Sequence, residues 1–145
     1  VPGSKAAGKR TKFLTQPLDF MPTILDLAGV KKPKGLHGLS VAPILKGQSP
    51  KVRHKVAVTS ATLPRRADQR VCSSITDGNW TLHYRGPDWP AELYDLRKDL
   101  AQKRNIYNWR NMSVARRLHK AYLEVLKDAG TPEEKLVLRM ELPKP

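Results

Sequence analysis

The chain is short of three things, and each shortage narrows its function. It has one cysteine, Cys72, in 145 residues, so it closes no internal disulfide, and its redox compartment stays undecided. No apolar run approaches the roughly 18 residues needed to span a bilayer, and nothing at the start reads as a signal peptide. Acidic residues are scarce. Lys and Arg number 27 against 13 Asp and Glu, a net charge of +14. The imbalance is steepest early, where residues 1–55 hold eleven basic side chains and only Asp19 and Asp26 as acids. Such a field attracts polyanions of any kind, whether nucleic acid, anionic lipid or sulfated polysaccharide, without choosing among them.

What is present divides into a helical first third and a strand-rich remainder. Pro17 suits the first turn of a helix, where its missing N–H would be unpaired anyway. From there Leu18, Met21, Ile24, Leu25 and Ala28 recur at one-face helical spacing. Gly29 is placed to end this helix in the left-handed conformation. Pro22 lies inside it and predicts that the helix begins or re-forms near Pro22–Thr23. Residues 31–38, with Pro33, Gly35 and Gly38, read as a loop. Ser40 is a candidate cap for a short helical turn with Val41, Ile44 and Leu45 facing inward.

Residues 47–55 form a polar, basic connector, after which the pattern alternates, the signature of strands. Strands are expected at about 54–61, 70–76, 79–85 and 91–96, with Asp77-Gly78 as a hairpin turn. A helix over 114–129 follows, capped by Ser113 and ended by Gly130 and Pro132. Its stripe of Val114, Leu118, Tyr122, Val125, Leu126 and Ala129 is wide enough to cover one sheet face. Arg116, Arg117, Lys120 and Lys127 point outward, and residues 136–142 are expected as a strand-like tail. The fold class is therefore α+β: a small four-stranded antiparallel sheet packed by a carboxy-terminal helix and preceded by a helix-loop segment. The domain division expected is 1–50 (helix about 17–29, loop, helical turn 40–46) and 51–145 (sheet about 54–96, helix 114–129).

Two blocks carry a family resemblance. Residues 19–29 read D-F-M-P-T-I-L-D-L-A-G, and residues 35–47 read G-L-H-G-L-S-V-A-P-I-L-K-G. They resemble the D-x-x-P-T-x-L-D-L-A-G … D-G-x-S-x-x-P-L-L-x-G stretch of type I sulfatases, members of the alkaline-phosphatase-like superfamily. Glu92-Leu93-Tyr94-Asp95-Leu96-Arg97-Lys98-Asp99, followed by Asn105-Ile106, resembles that family's E-L-Y-D-L-x-x-D-P-x-E-x-x-N-L. The resemblance covers nearly the whole chain but only the carboxy-terminal part of such an enzyme. The chain begins at Val1 and its first methionine is Met21, so a piece of a longer product is expected. Residues 1–50 would then be the tail end of the main α/β domain, and 51–145 the carboxy-terminal subdomain. Exported relatives are common, which implies a periplasmic, extracellular or lysosomal setting.

The family hydrolyses sulfate esters or sulfamates with a formylglycine made within C/S-x-P-x-R and with a divalent cation, calcium. Cys72 is followed by Ser73-Ser74-Ile75, which lacks that pattern, so it reads as a small, half-buried strand residue. No carboxylate cluster suits a hard cation, and His37, His54, His83 and His119 show no metal-ligand spacing. No catalytic residue carries over, and the formylglycine and calcium belong to the portion of the parent enzyme outside this chain. His37 stands where the family has Asp, and Thr81 replaces a common Lys of the third strand. The resemblance leaves one contact with substrate: the loop entering the second strand. There Arg65, Arg66 and Arg70 offer guanidinium forks for an anionic, sulfated glycan.

Two readings follow. In the first, the chain completes the fold and pocket wall of a sulfatase whose amino-terminal catalytic portion is its partner. In the second it is a non-catalytic basic domain that binds a polyanion, a sulfated glycan before nucleic acid, because zinc-knuckle, RNP-like and helix-turn-helix patterns are all missing. If the first holds, the early helix should present an apolar patch around Met21, Ile24, Leu25 and Leu45. The sheet and the late helix should share one core.

Overall fold

The structure, a computed structural model, describes residues 7–8, 10–49, 54–60 and 71–145. It divides into two compact units, Val1–Lys55 and Val56–Pro145.

In the first unit, Pro17 opens a 3₁₀ turn, Pro17–Asp19, that runs directly into α1, Phe20–Leu27. The helix does not restart at Pro22. That residue falls in the first turn of α1, where backbone N–H groups have no intrahelical partner, so its ring costs no ladder bond. Gly29 ends α1 at φ +68. The N–H of Val30 donates to Leu25 O at 2.9 Å, the long closing bond of a Schellman cap. The loop beyond passes Gly38 (φ +101) so close to Leu18 that a Cβ would run into the Leu18 carbonyl. Ser40 then leads into α2, Ala42–Leu45, with its Oγ accepting from Ala42 N at 3.2 Å. Ala42 is the buried residue of α2, and Val41, Ile44 and Leu45 are only half-buried. The apolar patch on α1 exists with shifted membership. Phe20 is 71% exposed, Met21 54% and Ile24 57%, whereas Leu25 and Leu45 are half-buried.

The second unit is a sheet under a helix. Strands β1 (Ala57–Ser60), β2 (Ser73–Thr76), β3 (Trp80–Tyr84) and β4 (Glu92–Asp95) pair antiparallel in sequence order. The register sets Ser60 opposite Ser73, Ile75 opposite Leu82 and Leu82 opposite Leu93. The β2–β3 turn is fixed by Asp77, whose Oδ1 accepts from Asn79 N and Trp80 N at 2.8 Å each, with Gly78 at φ +87. Across one face lies α3, Met112–Asp128. Ile75, Leu82, Tyr84 and Leu93 from the sheet meet Met112, Ala115, Leu118, Tyr122 and Leu126 from α3 in one core. Trp80 packs half-buried at its margin, with the Arg97 guanidinium 4.9 Å above its ring.

Three expectations for this unit need correction. Ser113 is not the cap of α3. A 3₁₀ turn, Trp109–Asn111, precedes the helix, and Asn108 Oδ1 accepts from Asn111 N at 3.2 Å, so the cap lies five residues earlier. Ala129 is exposed, and His119, absent from the expected stripe, is 5% exposed. Residues 136–142 are not strand-like. Glu133 and Glu134 in the first turn of α4, Glu133–Leu136, suit the positive end of a helix. A 3₁₀ turn over Val137–Arg139 follows. The terminal segment is tied down where Tyr84 Oη donates to Glu141 O at 2.8 Å and Tyr107 Oη to Pro143 O at 2.6 Å.

Candidate functional site

The expected substrate contacts, Arg65, Arg66 and Arg70, lie outside the described residues, and only the feet of their loop can be built up. One foot is Ser60 at the end of β1 and the other is Val71-Cys72 entering β2. Ser73 Oγ donates to Ser60 Oγ at 3.2 Å and shares a 3.0 Å hydrogen bond with Tyr122 Oη, buried beneath the sheet. A polar rivet thus joins both feet to α3. The Cys72 thiol is half-buried, and burial pushes its pKa up. It stays a thiol rather than a nucleophilic thiolate.

The register sets Tyr84, at the end of β3, opposite Ser73, so the Arg85–Glu92 pair, 3.1 Å apart, borders the same end of the sheet. Tyr94 Oη also donates to Glu92, at 2.8 Å. The Tyr94 hydroxyl first, and Arg85 after it, hold the Glu92 carboxyl below its ordinary value despite partial burial. Glu92 is therefore ionised and already occupied. It positions Arg85 and Tyr94 and has no spare oxygen aimed at a ligand.

The first unit holds the feature that most resembles acid–base machinery, and sequence reasoning missed it. Asp19 is 3% exposed. Its Oδ1 accepts from Leu39 N at 2.7 Å and lies 2.8 Å from His54 Nε2, and its Oδ2 accepts from Gln16 N at 2.8 Å. Burial raises the Asp19 pKa, but the Leu39, His54 and Gln16 hydrogen bonds together outweigh it and leave the carboxyl below its ordinary value. Thr23 Oγ1 donates to Asp19 O at 2.6 Å and accepts from Val41 N at 2.9 Å. Asp19 and Thr23 hold Leu39 and Val41 against residues 17–27, while Gln16 and His54 take up the rest of the carboxylate, so the knot is architectural. A signal was available in sequence, because an acid three residues after Gln16 is a capping-box arrangement.

The E-L-Y-D-L block is architectural too. Asp95 grips Arg97 through Nε and Nη2 at 2.7 Å each. Asn105 Oδ1 accepts from Leu93 N at 3.0 Å and Ile106 N donates to Leu93 O at 2.9 Å, which closes the open edge of β4. The histidines are dispersed. His37 is exposed, His54 joins Asp19, His83 meets Gln102 Oε1 at 2.6 Å, and His119 Nε2–H donates to Arg139 O at 2.8 Å. Among the described residues no three His, Cys, Asp or Glu side chains gather as a metal site. The buried carboxylate that could start one is already saturated, so these residues do not fit the calcium that the family resemblance implies.

A four-stranded antiparallel sheet under one helix, preceded in the chain by a helix-and-loop unit, with a motif block in each, defines the carboxy-terminal region of a sulfatase-type enzyme. The chain belongs to the family of the N-sulphoglucosamine sulphohydrolase carboxy-terminal domain, whose model matches residues 1–128. It is 33% identical over 132 residues to a Delta 4,5-hexuronate-2-O-sulfatase of Bacteroides thetaiotaomicron, covering 85% of this chain and 26% of that enzyme. A solved 2-O GAG sulfatase superposes with a TM-score of 0.71 at 27% identity, over 90% of this chain and 29% of that one. A phosphonate monoester hydrolase of Silicibacter pomeroyi superposes at 0.72 with 24% identity, over 88% and 28%. That likeness is one of fold alone, so the fold does not by itself separate sulfate from phosphonate chemistry. The chain spans about a quarter of the length of the curated relative it matches.

Proposed function

We propose that this chain is the carboxy-terminal portion of a sulfatase that hydrolyses sulfate esters or sulfamates of a sulfated glycosaminoglycan. In that enzyme it completes the fold and part of the substrate pocket and contributes no catalytic group. The observation that carries the reading is the family match over residues 1–128, joined to quarter-length coverage of a sulfatase relative. Its partner is the amino-terminal catalytic portion, to which the formylglycine and the calcium are assigned. Those two groups supply the attacking oxygen and the charge stabilisation for sulfate transfer.

The chain's own residues suit a supporting part. Asp19, Asp95 and Glu92 are spent on internal hydrogen bonds. The exposed apolar residues Phe20, Met21 and Ile24 are the kind of surface that marks a missing partner, here the rest of the enzyme. Arg65, Arg66 and Arg70 are assigned to bind the sulfate or carboxylate of the glycan through planar, bidentate contacts.

Sulfate release from heparin-derived disaccharides tests this. A longer product of the same reading frame carrying an upstream C/S-x-P-x-R segment is expected to turn over, and the 145-residue chain alone is not. In the longer product, replacing all three arginines by Gln should raise KM about tenfold or more with little change in kcat. Turnover by the chain alone would overturn the proposal. A natural product that starts just before Val1 and binds glycan without turnover would instead make this a basic interaction domain.

A further inference from the structure

The second unit has a groove of about 500 Å³ between α3 and the terminal segment, and nothing above gives it a role. One wall is α3, which presents Arg116 and Lys120 one turn apart and so side by side on its surface. The opposite wall is the terminal segment, which brings Lys144 and Glu141. That wall is braced by the hydroxyls of Tyr84 and Tyr107, on Glu141 O and Pro143 O, and by His119 on Arg139 O. The groove is therefore preformed rather than a gap beside a loose tail. At one end stands Trp109, 66% exposed and carried on the turn that Asn108 caps.

Arg116 and Lys120 on one wall face Glu141 and Lys144 on the other, and none of the three cations is held in an ion pair among the described residues. Surface tryptophan is uncommon because its apolar area is costly to hydrate. An exposed indole beside cations that hold no ion pair among the described residues points to a ligand with both an apolar face and several negative charges. A sulfated sugar has both: C–H groups across the ring for the indole, and sulfates or carboxylates for Arg and Lys. Single-stranded nucleic acid fits less well, since it is held by a row of aromatic platforms along a charged track and this groove has one.

We propose that the groove is a binding site for one or two residues of a sulfated glycan, built from Trp109, Arg116, Lys120 and Lys144. The choice of glycan rests on the proposed sulfatase reading, whereas the site itself rests on the groove.

Calorimetric titration of the full 145-residue chain with a heparin-derived hexasaccharide tests it, at near-physiological salt so that diffuse attraction is screened. R116Q combined with K120Q is expected to weaken binding about tenfold, and W109A at least threefold, as loss of charge-assisted contacts and of one stacking face implies. All three side chains are exposed, so circular dichroism should show the fold intact. In wild type the sugar should shift tryptophan emission, and W109A should abolish that shift. Three results would overturn the site: no binding by wild type, unchanged binding in the groove variants, or equal affinity for a single-stranded DNA of matched charge. Failure of sulfate release by the longer gene product would sink the sulfatase reading and leave this titration standing.

Discussion

The two units are held together by different physics. The second buries Ile75, Leu82, Leu93, Leu118 and Tyr122 completely, and the hydrophobic effect dominates it. Among the described residues of the first, the buried set is Asp19, Pro22, Thr23 and Ala42, and the large apolar side chains Phe20, Met21 and Ile24 face outward. Its shape depends on a carboxylate and a hydroxyl that gather backbone N–H groups across 18 and 20 residues of sequence. A unit that turns its apolar face out and spends its polar groups inside is suited to rest on something larger. A unit with a closed core is suited to stand alone.

Core truncation gives the largest effect that this contrast predicts. Leu118→Ala removes a side chain with no solvent exposure from the centre of the second unit and should cost about 3–4 kcal/mol. Trp80, Trp89 and Trp109 all lie in that unit and none lies in the first, so tryptophan fluorescence in a urea titration reads it selectively. A midpoint that hardly moves would mean that the helix does not close the core.

The polar knot should break at a smaller cost. In Asp19→Asn the charge is lost, and the amide NH₂ cannot accept from one of the N–H groups that the carboxylate now serves. A penalty of about 2 kcal/mol is expected, typical of an unsatisfied buried donor. Hydrogen exchange at the Leu39 and Gln16 amides is the readout, with acceleration of roughly 30-fold for that penalty. If Leu39 keeps its protection, the loop is held by something other than Asp19.

Acid should separate the units further. In the second, burial drives the His119 pKa below its ordinary 6.5, partly offset by the bond to Arg139 O. The unfolded chain then takes up this proton first. Stability from the neutral imidazole is complete above about pH 6.5 and falls as pH drops toward the folded value. The rings of Tyr84 and Tyr122 lie 4.9 and 6.3 Å from the imidazole, and burial outweighs the Arg139 hydrogen bond in setting the direction of its shift. In the first unit the Asp19 pKa lies below its ordinary 3.8. Its contribution is present above that pH and lost only as pH falls through the folded value. The fluorescence midpoint should therefore decline as pH drops below about 6.5, and His119→Phe should flatten that decline. Leu39 protection should hold until well below pH 4.

How much of this was legible in sequence followed the same division. Strand order, the Asp77-Gly78 turn and most of the α3 stripe were readable, because periodicity and turn chemistry are local signals. The missed features were long-range partnerships of polar groups. Asp19 with His54 and Leu39, Asn105 with the edge of β4, and His119 with Arg139 each join residues 12 to 35 apart in the chain, and no spacing rule encodes them. The motif blocks conveyed family identity through residues whose work is architectural, which is why matching them located the fold and not the chemistry. For the terminal segment, alternation over 136–142 was outweighed by the acids at the start of α4 and by the tyrosine tethers.

The smallest effect separates a structural carboxylate from its surface partner. Arg117 Nη2 reaches Asp77 Oδ2 at 2.7 Å, but the arginine side chain is 55% exposed. An ion pair that open is worth at most about 0.5 kcal/mol once screening and side-chain entropy are counted. Asp77 also accepts from Asn79 N and Trp80 N; burial raises its pKa, but the Arg117 and backbone hydrogen bonds outweigh that and leave it below the ordinary value. Arg117→Ala should therefore leave the fluorescence midpoint within error at moderate salt. Asp77→Ala, which strips the turn of its two backbone bonds, should cost about 1–2 kcal/mol. Equal effects from the two substitutions would mean that the salt bridge, rather than the backbone acceptor, holds the hairpin. The second unit would then depend on surface charge more than its buried core implies.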